Sequence, residues 1–355
     1  MHALAQLFDA TTLAVPVSDC PTDGEIPLSA PRLQVRALTM PRGSETVRKL
    51  LFPLWIMQNG GRLVREIRRA DAVHVPIPGD IGTVGMLLAY ALRKPLFVRY
   101  CGNWCVQSSA AERFWKWFME HSAGGRNVML ATGGAPDPPS RHNAAAKWIF
   151  STTLTEDELK ASRAHRRDRA PNQARLIIVC RQEGGKGTEV LIDSLASIIE
   201  RLPQATLDIV GDGADLPALR KRALSTAVAN RITFHGAVDH ASVLRLLRQA
   251  DVFCYPTATE GFPKVVLEAL ACGLPIVTTN VSVLPHLVQG CGVLLDTVTP
   301  QAVANAVWAC LAEPERYRAM SECATERAQD YSLERWRDTI GGYLRAAWGP
   351  LQSRV

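Results

Sequence analysis

The chain has 355 residues, 47% of them apolar and 21% charged, the composition of a globular protein that exceeds what one hydrophobic core usually serves. Its net charge of +6 is uneven, since residues 1–170 carry 22 Lys and Arg against 15 Asp and Glu, and residues 171–355 carry 18 against 19. No run of eighteen apolar residues is free of charge or proline, and no basic segment precedes an apolar block at Met1, so neither a membrane span nor a signal peptide is expected.

The first half reads as a loose series of strands, at Thr12–Val17, Leu33–Arg36, Ala72–Val75, Pro95–Arg99, Asn127–Leu130 and Lys147–Phe150. Between the second and third lies Arg48–Met57, rich in Leu, followed by Arg62, Arg65, Arg68 and Arg69. This stretch is either an ordinary amphipathic helix with a solvated basic face or one that lies on an anionic membrane surface. Residues 1–160 therefore form one α/β domain. The polar segment 161–174 has no apolar period and reads as a linker.

From Arg175 onward the alternation is regular. Strands at Leu176–Cys180, Ala205–Val210, Ile232–His235, Val252–Tyr255, Pro275–Thr278 and Gly292–Leu295 are separated by helical patterns at 187–200, 215–228, 240–249, 263–272 and 301–312. That pattern makes a parallel, doubly wound sheet over 175–330, and such sheets bind ligands outside the carboxyl ends of their strands. Residues 331–355 close the chain as a helix expected to pack back on the first domain.

Cysteine is scattered singly in apolar contexts, with no CxxC pair among nine residues, which implies a reducing, cytoplasmic compartment and thiols that behave as small hydrophobes. Cys101 and Cys105 lack a second ligand pair, so no metal site is expected. Aromatic and basic residues do not interleave in a nucleic-acid motif, which excludes that class of partner. The histidines 121, 235, 240 and 286 have no carboxylate at a catalytic spacing and read as structural.

The most informative segment is Glu260-Gly-Phe-Pro-Lys-Val-Val-Leu-Glu268. Pro263 suits the first position of a helix that would stop at Gly273. An anion bound near Phe262, Pro263, Lys264 and Val265, at the positive end of that helix, would have a carboxylate on either side: Glu260 above and Glu268 roughly 7–8 Å below the helix start. This matches the size and polarity of a nucleoside diphosphate sugar. Three further loops leave the same sheet edge: Arg181-Gln-Glu-Gly-Gly-Lys186-Gly187, where two cations can bracket a diphosphate, Val210-Gly-Asp-Gly213, and Phe234-His-Gly236. Gly211, Gly213 and Gly236 are expected to let backbone approach the ligand closely.

Together these motifs resemble the retaining family-4 glycosyltransferases of the GT-B fold, over about residues 175–340. The resemblance implies two Rossmann-like doubly wound domains facing a cleft, with the acceptor side in the first and the nucleotide-sugar donor in the second. It implies that Arg181 and Lys186 hold the donor diphosphate, Glu260 contacts the transferred sugar, Glu268 binds the ribose hydroxyls and Gly236 lines the base pocket. The implied reaction needs no cofactor or divalent metal, in keeping with the absence of an Asp-x-Asp motif. The acceptor would be a glycan, a lipid-linked glycan or a small molecule, with peripheral contact to the inner membrane face as one setting.

Three departures stand out. No glycine-rich loop precedes the strand at Thr12, so the first βα unit is expected to be truncated or absent. Arg99-Tyr-Cys-Gly-Asn-Trp104 stands where a His-Gly is usual, and Ser282-Val283 replaces a Gly-Gly pair. A nucleotide-sugar epimerase and a non-catalytic nucleotide-sugar binder are the alternatives.

Overall fold

The computed structural model describes residues 2–17, 31–43, 45–134, 137–166 and 174–351. They form two compact units, one of residues 1–132, 138–149 and 337–355, the other of 133–137 and 150–336.

The first unit starts with a short helix α1 (His2–Ala5), then β1 (Thr11–Pro16) and β2 (Leu33–Leu38), which pair in parallel as a separate two-stranded sheet. The long helix α2 (Glu45–Arg69) follows, then β3 (Val73–Ile77), α3 (Asp80–Ala91), β4 (Leu96–Tyr100), α4 (Ala110–Ser122), β5 (Asn127–Thr132) and β6 (Lys147–Ile149). Strands β3 to β6 form a parallel sheet in sequence order. Its buried members, among them Ile77, Leu96, Val98 and Met129, pack with Met86 of α3 and Met119 of α4. The strand positions agree with the alternation in the sequence, but the first half is two sheets rather than one continuous layer. The four residues Gln34 to Ala37 of β2 are exposed, so little burial drives that strand pair into a larger sheet.

Helix α4 escaped the strand-based reading although its start is marked in the sequence. Ser109 caps the backbone of Glu112, and Glu112 reaches back to the Ser109 N–H, a complete capping box. These hydrogen bonds, the one from the Ser109 backbone foremost, hold the Glu112 carboxyl below its usual range.

The second unit begins before the expected boundary. Helix α5 (Glu156–Arg166) runs into the segment read as a linker, and its Leu159, with Leu154 before it, is buried in the second unit's core. Thr155 caps this helix through Glu158, the two exchanging hydrogen bonds of 2.8–3.2 Å. Of the proposed linker, 161–166 is therefore helical and residues 167–173 lie outside the described residues.

The order continues β7 (Arg175–Val179), α6 (Thr188–Arg201), β8 (Thr206–Val210), α7 (Leu216–Leu224), β9 (Ile232–Gly236), α8 (His240–Gln249), β10 (Val252–Tyr255), α9 (Lys264–Ala271), β11 (Ile276–Thr279), α10 (Leu284–Val288), β12 (Gly292–Leu295), α11 (Pro300–Leu311) and α12 (Pro314–Ala328). The six strands are all parallel in the spatial order β12-β11-β10-β7-β8-β9. The chain winds outward one way from β7 and then the other way from β10. The switch point therefore lies between β7 and β10, where such sheets open a crevice at the strands' carboxyl ends. A last helix, α13 (Leu333–Trp348), joins the first unit from Arg337 onward, where Arg337 donates to Gln6 and the Trp348 indole to the Arg126 carbonyl.

Candidate functional site

Two loops leave the sheet at the switch point. The β7–α6 loop carries Lys186 and the β10–α9 loop carries Glu260, and the structure joins them: Lys186 Nζ lies 3.1 Å from Glu260 Oε2 and 3.4 Å from the Tyr255 hydroxyl. Tyr255 donates its proton to the same carboxylate oxygen, and Glu260 Oε1 accepts the Gly261 N–H at 3.1 Å. Burial, and then the charge of Glu260, push the Tyr255 hydroxyl far above its ordinary pKa, so it stays a donor. With the Lys186 and Glu260 side chains only 20% and 16% exposed, this ion pair is better shielded than a surface bridge. Arg181 is not part of it. Its side chain is exposed and meets Glu183 at 3.4 Å.

Glycines make the loop approach possible. Gly187 has φ of +80°, and a Cβ there would lie 2.3 Å from the Pro256 carbonyl oxygen, so only glycine lets the β7–α6 loop close on the β10–α9 loop.

Gly211 and Gly213 each press on the neighbouring β7–α6 loop. A Cβ on Gly211 would fall 1.9 Å from the Cys180 carbonyl oxygen, and one on Gly213 would fall 2.3 Å from that of Gln182. The close approach is therefore of the chain to itself. Gln182, fully buried, fastens these loops: its side-chain amide donates to the Cys180 and Val210 carbonyls and accepts from the Thr188 hydroxyl at 2.8 Å. Gly236 differs, for at φ of +67° it has open space where a Cβ would stand.

Helix α9 starts one residue later than expected. Pro263 is its N-cap, extended and without a capping side chain, and Lys264 is the first helical residue. A proline cap offers no side-chain acceptor to the N–H groups of the first turn. Lys264 is exposed, while Val265 and Phe262 pack partly into the core. The helix ends at Gly273, whose φ of +67° and the Leu274 N–H bond to the Ala269 carbonyl close its last turn.

Glu268 is buried, and its Oε1 accepts from the Thr153 hydroxyl at 3.0 Å and faces His240 Nε2 at 3.2 Å. Among the described residues its Oε2 has no hydrogen-bond partner. His240 and His235 were read as structural histidines with no carboxylate at a catalytic spacing, and the fold brings each one to a carboxylate, His240 to Glu268 and His235 to buried Asp208 at 2.6 Å. The partners are 28 and 27 residues away, beyond any local spacing. On the next loop, Ser282 stands at φ of +53°, the left-handed region a glycine would occupy at less cost, and donates to the Gly261 carbonyl at 3.2 Å. Among the described residues no three His, Cys, Asp or Glu side chains gather as a metal site, and no helix is long and apolar enough to cross a membrane.

Residues 162–327 match the family model described as glycosyl transferases group 1. The chain is 35% identical over 196 residues to a GDP-mannose-dependent alpha-(1-6)-phosphatidylinositol monomannoside mannosyltransferase of Mycobacterium tuberculosis, covering 52% of this chain and 50% of the relative. It is 31% identical over 183 residues to a D-inositol 3-phosphate glycosyltransferase of Segniliparus rotundus, covering 50% and 41%. These alignments span about half the length of the curated relatives. Among solved structures, the Anabaena HepE protein in complex with UDP and glucose superposes with a TM-score of 0.64 over 89% of this chain and 87% of that one, at 20% identity. That likeness is one of fold, an α/β protein of two Rossmann-like units of the GT-B class.

Proposed function

We propose that this chain, whose residues 162–327 match the glycosyl transferases group 1, transfers a hexosyl group from a nucleoside diphosphate sugar to a glycan or lipid-linked acceptor, with retention and without a divalent metal. The observation that carries this is the Lys186–Glu260–Tyr255 cluster at the switch point, beside the uncapped start of α9. A donor diphosphate bound there competes with Glu260 for Lys186 and takes the N–H groups of the first turn of α9. Lys186 then neutralises the charge that builds on the leaving diphosphate, and Glu260, still oriented by Tyr255, turns to the sugar hydroxyls. The unpaired Oε2 of Glu268 is suited to accept from the ribose hydroxyls, held in place by Thr153 and His240.

The named activities of the relatives and the UDP in the HepE complex support a nucleotide-sugar donor. The phosphatidylinositol-linked acceptor named for one relative supports the lipid-linked class and a place at the inner face of a membrane. In this reading Arg181 swings from Glu183 to the diphosphate, and acceptor binding falls to the first unit.

The experiment is release of free sugar from UDP-, GDP- and ADP-sugars, preceded by a thermal-shift screen of the same donors. One of them is expected to raise the melting temperature and be slowly hydrolysed, and Lys186→Ala is expected to lower that rate by about two to three powers of ten. A donor that binds without turnover in the presence of acceptor extracts, or an unchanged rate in Lys186→Ala, overturns the reading.

A further inference from the structure

Helix α2 turns Trp55, Asn59, Leu63 and Ile67 inward, a regular four-residue repeat that fixes its core face. On the opposite side it exposes Leu50, Leu54 and Met57, at 76%, 51% and 81%, and Val47 and Leu51 on the turns before Trp55 are exposed as well. Leu50, Leu54 and Met57 follow one another at steps of four and three residues, which places them on one stripe of the helix. A stripe this apolar is not what keeps a helix in water.

Continued through the second half of α2, the same side carries Arg65 and Arg68, with Arg62 and Arg69 on its flank. Arg62, Arg65 and Arg69 join Arg36 of β2 around a cavity of about 350 Å³. Its one carboxylate, Glu66, reaches only Arg69, at 3.9 Å. Arg36, Arg62 and Arg65 have no ion-pair or hydrogen-bond partner among the described residues. Unpaired guanidinium groups around one hollow repel each other until an anion enters, and each presents a fork matched to phosphate oxygens.

We infer that α2 and β2 dock the first unit on an anionic phospholipid surface, with the apolar stripe entering the lipid and Arg36, Arg62, Arg65 and Arg69 holding headgroup phosphates. A soluble phosphate alone leaves the stripe without a purpose, and an apolar protein surface leaves the arginines without one. An anionic bilayer satisfies both, and lying on the surface agrees with a helix that is not apolar enough to span. The inference is independent of the transfer reaction, because surface binding is read without donor or acceptor.

The test is co-sedimentation of the full chain with vesicles of equimolar phosphatidylglycerol and phosphatidylcholine, and with vesicles of phosphatidylcholine alone. Binding is expected to the mixed vesicles only, and to weaken in high salt. Arg62→Gln with Arg65→Gln is expected to lower the partition coefficient by roughly fivefold for each charge. Leu50→Ser with Met57→Ser is expected to lower it at least tenfold, on the order of losing two buried apolar side chains. All four positions are exposed or half-buried, and unchanged thermal melting of the variants separates lost docking from lost folding. Equal binding to both vesicles, binding unaffected in both variant pairs, or stabilisation by inorganic phosphate with no vesicle binding overturns the inference.

Discussion

Strands β10 and β11 of the second unit are buried at every position, whereas β2 of the first exposes four of its six residues. The second unit is a six-stranded sheet whose core draws buried residues from every strand but β9, where Ile232 and Phe234 pack partly against it. The first divides its strands between a four-stranded sheet and a separate pair. A parallel sheet needs both faces covered, and around the second unit's sheet the loops press on backbone so closely that glycine is obligatory at Gly187, Gly211 and Gly213, a constraint the first unit shares at Gly82. The first unit tolerates looser solutions: a helix end without glycine, a buried imidazole, an apolar helix stripe in water. Tight closure accompanies the candidate site, and loose closure accompanies exposed surface.

The largest expected effect tests the tight side. Gly211→Ala places a Cβ against the Cys180 carbonyl and should cost about 3 kcal/mol. In calorimetry that lowers the second unit's melting temperature by roughly 6–12 °C. A shift of a degree or less would mean that the β7–α6 and β8–α7 loops give way easily, and the contrast between the units would fail.

On the loose side, His74 of β3 is stacked on Phe97 at 4.4 Å, its Nε2 sealed from solvent and without a hydrogen bond although part of the residue reaches the surface. Burial, followed by the charge of Arg99, depresses its pKa from 6.5 to about 3. Unfolding therefore takes up a proton between those values. The stability that neutral His74 contributes is full above pH 6.5 and is lost as the pH falls toward 3, by about 2 kcal/mol at pH 5. His74→Phe should flatten the acid limb of the first unit's melting profile, and parallel profiles for wild type and variant would refute this origin.

The smallest effect compares two helix ends. Helix α9 closes with Gly273 in the left-handed region, and α3 closes in the same way, the Lys94 N–H bonding the Ala89 carbonyl, but with Arg93 at φ of +54°. Arg93→Gly is expected to stabilise the first unit by roughly 1 kcal/mol, the cost of that conformation for a residue with a Cβ. A destabilised variant would show that Arg93 contributes through contacts of its side chain instead.

The regular half of the fold was legible because its burial pattern is local. Runs such as Leu176–Cys180 and Val252–Tyr255 are apolar throughout, and helix stops such as Gly273 are marked by single residues. Strands β1 and β2 were legible as well, but not their separation as a two-stranded sheet, and helix α4 was missed although a capping box marks its start. At the candidate site, Lys186, Glu260 and Glu268 were legible as charges beside turns. Tyr255, Gln182, Thr153 and His240 were not, since each acts through a partner brought to it by the fold.

The sequence by itself determined the parallel sheet of the second unit, the loops at its carboxyl edge and the charged residues on them, because strand period, glycine and proline act within a few residues of chain. Only the tertiary structure decided which charges meet. It turned Arg181 to Glu183 and Lys186 to Glu260, gave Glu268 a histidine from α8, and made Gly211 and Gly213 contacts of the chain with itself. The physical reason is that a side chain's partner is set by where the strand order reverses, and strand order depends on packing between residues far apart in the chain.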